Sequence, residues 1–302
     1  MAIRFGIDLG GTKIEIVALD DSGEVVLRNR VATPQGDYMG TVMAIVGLVE
    51  AAERKVGARG TVGVGIPGAE SRATGLIKNA NSTCLIGQPL KRDLQALLQR
   101  EVRLANDANC FALSEATDGA GHDAQVVFGA ILGTGVGGGV VVEGRVLTGA
   151  NAIAGEWGHT PMPGEPEAEH RLRPCYCGRH GCIETYLSGP AWVAEYRRDH
   201  PDADPALSAE EIVCRAMEGE LDCDAHLQRY ERRLARALAQ IVNILDPEII
   251  VLGGGLSNIE RLYAAVPAQW NAYIFSDRVA TRLLKHRHGD SSGVRGAAWL
   301  WS

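Results

Sequence analysis

The chain has 302 residues, of which 46% are hydrophobic, and a formal net charge of -7 at pH 7. Such a length and composition predict one large or two medium globular domains with a substantial core, not a disordered chain. The acidic balance argues against non-specific nucleic-acid binding and against docking on an anionic membrane, and no stretch approaches the roughly 20 apolar residues of a membrane span.

At the N-terminus, "MAIRFGIDLG" is an apolar run broken by Asp8. It lacks the form of a signal peptide, so a cytoplasmic location is expected. "IRFGIDLGG" reads as a strand ending in a glycine turn. The alternating "TKIEIVALDDSGEVVLRNRVAT" with its "DDSG" turn then predicts an antiparallel three-stranded meander. "YMGTVMAIVGLVEAAERKVG" carries Met39, Val42, Val46 and Val49 at helical spacing. "TVGVGI" reads as a buried strand stopped by Pro67-Gly68, "QPLKRDLQALLQREV" as a helix with Pro89 near its start, "VRLAND" as a strand and "ANCFALSEATDGA" as a helix. The pattern then begins again. "QVVFGAILGTGVGGGVVVEGRVLTG" is strand, glycine turn, strand and a hairpin at Glu143-Gly144. Ser208 with Glu211, and Ser257 with Glu260, match capping boxes. Between them, Leu227, Tyr230, Leu234, Leu238, Ile241 and Leu245 mark one face of a long helix, and "EIIVLGGG" is a buried strand. Two similar α/β halves follow from this recurrence. The expected division is 1–118 and 119–290, with a C-terminal helix at about 291–302 packing back on the first half.

Three glycine turns follow apolar strands: "DLGGTK" at 8–13, "LGTGVGGG" at 132–139 and "LGGG" at 252–255. Glycine lets backbone amides approach an anion closely. Gly133-x-Gly135-x-x-Gly138 satisfies the dinucleotide pattern, but "VVVEGRV" after it is a strand and hairpin where that motif requires a helix. Lys13 lies past Thr12 and a strand follows, so the first turn is not a P-loop either. What remains is a phosphate clamp built from hairpin turns. The residues expected to hold ATP are Asp8, Gly10, Gly11, Thr12 and Lys13, then Gly133, Thr134, Gly135, Gly137 and Gly138, then Gly253, Gly254 and Gly255. Asp8 is placed to hold a water of a magnesium shell, or else simply initiates the turn.

"NDAN" opens a helix after a strand. Phosphoryl transfer to an alcohol needs a group to accept the hydroxyl proton, and Asp107 is the candidate; the alternative is that it only caps the helix. Asn106 beside it is placed to orient hydroxyls. Three of the 7 cysteines fall in "RPCYCGRHGCIETY". With no sign of an oxidising compartment, metal binding is a better reading than a disulfide. Cys175, Cys177, Cys182 and the upstream His159 fit a closed tetrahedral zinc, structural in role, with Gly178 and Gly181 allowing a tight loop; reduced buried cysteines are the alternative. Cys84, Cys110, Cys214 and Cys223 are isolated and read as packing residues. His122, His170, His180 and the two histidines of "KHRH" read as surface.

"IDLGGTK", "LANDAN", "GTGVGGG", "AGEWGH" and "CYCGRHGCIET" together resemble the successive motifs of the ROK sugar kinases, over nearly the whole chain. "NANSTCLIGQPL" and "HGDSSGVRGAAWLW" resemble in particular the fructokinase, or manno(fructo)kinase, members. The resemblance implies the actin-like (sugar kinase/Hsp70) ATPase fold, two α/β lobes with a cleft that takes ATP and magnesium. It implies transfer to the 6-hydroxyl of a hexose, D-fructose first, with glucose, mannose or N-acetylglucosamine as alternatives. It implies Asp107 as the base, and Gly68, Asn81, Asn106, Asp107, Glu156, His159 and Glu184 as sugar contacts. A homodimer is also implied. Many relatives carry a tryptophan where Cys84 and Leu85 stand, a difference that bears on the sugar and not on the reaction. Some relatives are sugar-responsive repressors with a helix-turn-helix ahead of the core; a first strand at Ile3 leaves no room for one here. A motor or chaperone ATPase is disfavoured by the thiol loop and "NDAN".

Overall fold

The structure is a computed structural model that describes residues 2–80, 82–164 and 173–301. Asn81 and His170, both singled out above, lie outside the described residues. In chain order the elements are β1 (Arg4–Leu9), β2 (Lys13–Leu19), β3 (Val25–Ala32), α1 (Tyr38–Val56), β4 (Thr61–Ile66), β5 (Ala69–Glu70), β6 (Ile77–Lys78), α2 (Leu90–Leu98), β7 (Val102–Asn106) and α3 (Asp107–Thr117). There follow β8 (Val126–Leu132), β9 (Val136–Val142), β10 (Arg145–Val146), α4 (Glu184–Leu187), α5 (Gly189–Asp199), α6 (Ala209–Met217), α7 (Leu221–Leu245), β11 (Ile249–Gly253), α8 (Leu262–Ala265), β12 (Arg282–Lys285) and α9 (Ser292–Trp299). They fall into two compact units: 1–123 with 139–154 and 287–302, and 124–138 with 155–286. None of the described helices is long and apolar enough to cross a membrane.

The first unit is built on a sheet of order β3-β2-β1-β4-β7. The predicted meander is present: β1, β2 and β3 pair antiparallel, while β4 and β7 add in parallel. Phe5, Ile7 and Leu9 on β1, and Val62, Val64 and Ile66 on β4, alternate along their strands and bury one face of the sheet, while Gly6 and Gly63 between them lie on the opposite face, which the last helix covers. On α1, Val42, Val46 and Val49 are buried as the spacing predicts, but Met39 is 52% exposed. Asp37 caps the helix start by accepting from the Gly40 amide, and Gly57 ends it at φ 73°. Helix α2 stops at Leu98, short of "REV", because Gln99 turns left-handed at φ 50° and Val102 is already in β7.

Helix α9 lies directly on this sheet. A Cβ on Gly6 of β1 would run into the Val294 carbonyl, one on Gly63 of β4 into the Ala297 carbonyl, and one on Gly296 into the Cys110 carbonyl of α3. The small residues of "GVRGAAW" are therefore needed for backbone contact on both sides of the helix. Glu115 of α3, fully buried, fastens the segment. Its carboxylate accepts from the amides of Ala120 and Arg287 and from the Ser292 hydroxyl.

In the second sheet the order is β10-β9-β8-β11-β12. Strand β12, which the periodicity did not mark, pairs parallel to β11 at its edge. On α7 the predicted face is buried at Leu227, Tyr230, Leu234 and Leu238; near its end Val242 is buried, while Ile241 and Leu245 are only partly so. The first capping box is half formed. Ser208 accepts from the Glu211 amide at 3.1 Å, but the Glu211 side chain pairs with Arg215 four residues on. The second is absent. The Ser257 hydroxyl donates to the Gly254 carbonyl at 2.6 Å, Glu260 pairs with Lys285, and only the short α8 follows.

Candidate active site

Asp8 is the penultimate residue of β1, at the mouth of the first glycine turn. The Gly10 amide donates to the Lys13 carbonyl at 3.0 Å, and Thr33 of the strand-end behind donates its hydroxyl to the Gly10 carbonyl at 2.7 Å. Gly11 has no neighbour within 4 Å of where a Cβ would stand, and Gly11, Thr12 and Lys13 are all exposed. The tip of the turn is thus rigidly based and open. Burial, then the charge of Asp107, then that of Glu15, push the Asp8 carboxyl up to about 6, with Lys13 opposing. The charge of Asp107 is therefore felt at Asp8.

Asp107 is the first residue of α3 and is exposed. The cap is not Asp107 but Asn106, whose side-chain oxygen accepts from the Ala108 amide at 2.9 Å. Asn106 also donates through Nδ2 to the Gly68 carbonyl at 3.3 Å, so both ends of its amide are engaged within the protein. The Asp107 Oδ1 atom lies 2.8 Å from the same Ala108 amide, which fixes one oxygen of its carboxylate. Gly68 has no room for a side chain: a Cβ would stand 2.8 Å from the Lys78 carbonyl. Gly68, Asn106 and Asp107 are thus brought together in the first unit.

The second unit gathers the other two glycine turns. The Gly133 amide donates to the Gly135 carbonyl at 3.0 Å, closing the second turn. Two braces hold it from outside: the Gly189 amide donates to the Gly133 carbonyl at 2.8 Å, and the Val136 amide donates to the Glu184 carboxylate at 2.9 Å. Gly254, at φ 81°, presses the third turn onto the second; a Cβ there would come 2.5 Å from the Leu132 carbonyl. Gly255 and Gly11 alike face open space. Packing accounts for Gly138, where a Cβ would meet Phe128 and Trp157 at 2.8 Å, and Gly137 accepts from the Trp157 indole. Thr134 stands exposed at the tip.

His159, Cys175, Cys177 and Cys182 converge, with their ligand atoms within 4.8 Å of one another. The sequence places the loop by left-handed Gly178 and Gly181, and by a Cys175 amide bond to the Arg179 carbonyl at 2.8 Å. A tetrahedral zinc with Zn–S of about 2.3 Å and Zn–N of about 2.0 Å sets sulfurs roughly 3.8 Å apart and sulfur to nitrogen roughly 3.5 Å apart. Cys177 and Cys182 sulfurs are 3.7 Å apart, and Cys175 Sγ is 3.5 Å from His159 Nδ1. The donor set and its spacing fit such an ion. Glu156 is exposed just ahead of the short turn Trp157–His159, and Glu184 is half-buried at the start of α4.

Sequence reasoning missed what anchors this loop. Arg173, two residues before Cys175, donates to Glu195 at 2.8 Å, Arg233 donates to the other Glu195 oxygen at 2.6 Å, and both guanidiniums lie over the Tyr186 ring. All of these residues are buried. Burial would push the Glu195 carboxyl up, but Arg233 and Arg173 hold it down at about 2. Glu195 sits in no motif and nothing local marks it. Tyr176, in contrast, lies within the thiol motif. Its hydroxyl lies 2.9 Å from His159 Nε2.

A family model described as the ROK family matches residues 4–302. The N-acetyl-D-glucosamine kinases of Yersinia pseudotuberculosis and Vibrio cholerae are each 42% identical to this chain, covering 98% of it and 98% of their own lengths. Among solved structures, the ROK hexokinase from Thermus thermophilus superposes with a TM-score of 0.86 at 30% identity, over 98% of this chain and 97% of that one. A ROK family glucokinase from Streptomyces griseus, in complex with glucose and AMPPNP, gives 0.79 at 26% identity over 99% of each. The α/β fold with two five-stranded sheets is accordingly the actin-like fold that the motifs implied.

Proposed function

Because the chain belongs to the ROK family, we propose that it is a hexose kinase that transfers the γ-phosphoryl group of ATP to the 6-hydroxyl of its sugar. The observation that carries this reading is the pairing of Asp8 and Asp107. A carboxylate whose proton affinity is raised by burial and then by the charge of Asp107, beside an open glycine turn, suits a site completed by a magnesium–triphosphate and a hydroxyl. In the proposed reaction the sugar oxygen forms the new bond to γ-phosphorus as the bond to the ADP oxygen breaks, and the hydroxyl proton passes to the Asp107 carboxylate. In a loose transition state that proton leaves late, so a carboxylate of ordinary basicity suffices and its position matters most. Asn106 supplies the position, since it caps α3 and ties it to the Gly68 turn. Magnesium, when bound, spreads the charge of the β- and γ-phosphates, and Asp8 would hold it through water. The turn at 133–138, with the third turn pressed against it, is assigned to the nucleotide. The cluster of His159, Cys175, Cys177 and Cys182 is assigned to a structural zinc, since four protein donors complete its shell. Its role is to fix the loop that carries Glu156, His159 and Glu184 toward the sugar.

Two acceptors compete. Fructose is proposed first, because the stretches "NANSTCLIGQPL" and "HGDSSGVRGAAWLW" resemble the fructokinase members and the first of them lies at an expected sugar contact. N-acetyl-D-glucosamine is the second reading, and the names of the 42% identical relatives favour it. None of the relatives named above supports fructose, so that choice rests on local resemblance. Identity spread over a whole chain fixes the reaction better than the acceptor, which a few contacts decide. A coupled assay with magnesium-ATP across fructose, mannose, glucose and N-acetylglucosamine tests both. Fructose ahead in kcat/KM bears out the first reading; N-acetylglucosamine ahead by ~100-fold, about 2.7 kcal/mol of discrimination, replaces it with the second. If no hexose stimulates ATP consumption, the kinase reading itself fails.

A further inference from the structure

The segment that leads away from Gly68, an expected sugar contact, is anchored at both ends. A Cβ on Gly68 would come 2.8 Å from the Lys78 carbonyl and 3.0 Å from Ala80. Further on, the Gly87 amide donates to the Ile77 carbonyl at 2.8 Å, and Leu85 is buried in the core of the first unit. Between these anchors Thr83–Leu85 makes one tight turn, closed by the Leu85 amide on the Ser82 carbonyl at 3.0 Å. The turn is a preformed wall.

That wall faces the first glycine turn across a cavity of about 230 Å³. Leu9, next to Asp8, and Gly11, at the open tip, form the far side. The cavity therefore adjoins the turn assigned above to the triphosphate. It is smaller than the roughly 300–1,000 Å³ of a whole small-molecule site, so it suits one part of a ligand. Among the described residues, none that lines it carries a charge. A phosphate, carboxylate or ammonium would lose its hydration there without an ionic partner. Leu9, Pro34 and Leu85 supply apolar surface, while the Ser82 and Thr83 hydroxyls and the Gln35 amide supply donors and acceptors. A short neutral group that joins an amide to a methyl matches that division. Cys84 stands half-buried in the wall, packed on the core to one side, with a side chain small enough to leave the space.

We propose that this cavity extends the acceptor site and takes the acylamino substituent of a hexosamine, and that the size of Cys84 decides whether the substituent enters. The inference rests on the kinase reading above and extends it to N-acylated hexosamines, whichever plain hexose is also turned over. The opposing view is that the cavity is a crease between two turns and that Cys84 only packs.

Glucose and N-acetylglucosamine differ only at carbon 2, and their ratio in kcat/KM separates the two views. In the parent, N-acetylglucosamine is expected to equal or exceed glucose. Cys84→Phe puts a ring into the cavity, and the ratio should fall about ten-fold, the low end of the roughly 10–200-fold that a fitted pocket gives for a small apolar group. Cys84→Leu replaces it should the ring prevent folding, with the same expectation. Cys84→Ser, close to the parent in size, should hold the parental ratio. A parent that favours glucose overturns the proposal, as does a fall of less than three-fold in the filled variant. A matching fall in Cys84→Ser assigns the effect to the thiol and not to its size, and overturns it too. A parent that phosphorylates no hexose overturns the kinase reading together with this one, whereas a working kinase whose ratio does not move overturns this one alone.

Discussion

Asp8 in the first unit and Glu195 in the second are both carboxylates withdrawn from bulk water, and they are held in opposite ways. Glu195 has a guanidinium on each oxygen and an aromatic floor under both, and its carboxyl is held down at about 2. Asp8 is pushed up to about 6, by burial first and then by the charges of Asp107 and Glu15. One arrangement is complete within the protein. The other is unfavourable until a cation arrives, and charge left unbalanced by the fold marks a place where a ligand is meant to complete it. The same contrast separates the two glycine turns: the one at 133–138 is braced by the Glu184 carboxylate, whereas the one at 9–13 stands next to Asp8 with its tip open.

The sharpest way to break the comparison is to remove the proposed base. Asp107→Asn keeps the shape of α3's first residue, and turnover is expected to fall by about 100- to 10,000-fold. It also removes the second cause of the Asp8 shift, so Asp8 should take up its proton at a lower pH, readable by carboxyl NMR. Parental turnover in a folded variant would refute the role. Next in size is Glu195→Ala, which takes the buried carboxylate away from the guanidiniums of Arg173 and Arg233. A loss of about 3–5 kcal/mol in denaturant unfolding is expected, and a loss under 1 kcal/mol would show that the pair is not the anchor its geometry implies. Cys177→Ser should release metal and raise the sugar KM several-fold while Asp107 stays in place. Unchanged sugar affinity in the metal-free protein would separate the zinc loop from the sugar. The smallest effect is expected at the brace. Glu184→Ala should weaken nucleotide binding about five-fold with no sugar present, since Val136 loses its acceptor; that is about 1 kcal/mol, less than the roughly 1.5–3 kcal/mol of a hydrogen bond to a charged group, because the Gly189 brace on the turn remains. Parental nucleotide affinity would leave Glu184 a sugar contact alone.

How far the sequence could be read follows from which physical causes are local. The strand–glycine–strand units were legible because period-two burial and a turn residue are written in consecutive positions. The thiol loop is legible because its three cysteines and two glycines lie within eight residues, with only His159 contributed from upstream. Ser257 and Glu260 have the spacing of a capping box, yet no helix uses it, because tertiary packing of the third turn on Gly133 draws the Ser257 hydroxyl to Gly254. Met39 lies three residues before Val42, yet it falls on the outer face of α1 together with the exposed Met43, one turn on, because the buried face begins at Thr41 and Val42. Glu195, Arg173 and Arg233 are far apart in sequence, and only the fold makes them one cluster. Asn106 reads from the sequence as a residue that orients hydroxyls; that it also caps α3, with Asp107 exposed beside it, shows only in the structure.

The most direct test of the central claim is Asp8→Asn, read in two ways on the same protein. With its carboxyl raised to about 6, ionised Asp8 costs stability at neutral pH, and that cost is relieved as pH falls from about 6 toward its unfolded value of 3.8. Part of its surface stays open, so the expected gain for the variant at pH 7 is roughly 1–2 kcal/mol, below the full equivalent of the shift. The account predicts a variant that melts higher than the parent at pH 7, by a margin that closes as pH is lowered to about 4, and that has lost most of its magnesium-dependent phosphoryl transfer. A variant that melts lower at pH 7 and keeps parental activity would contradict it.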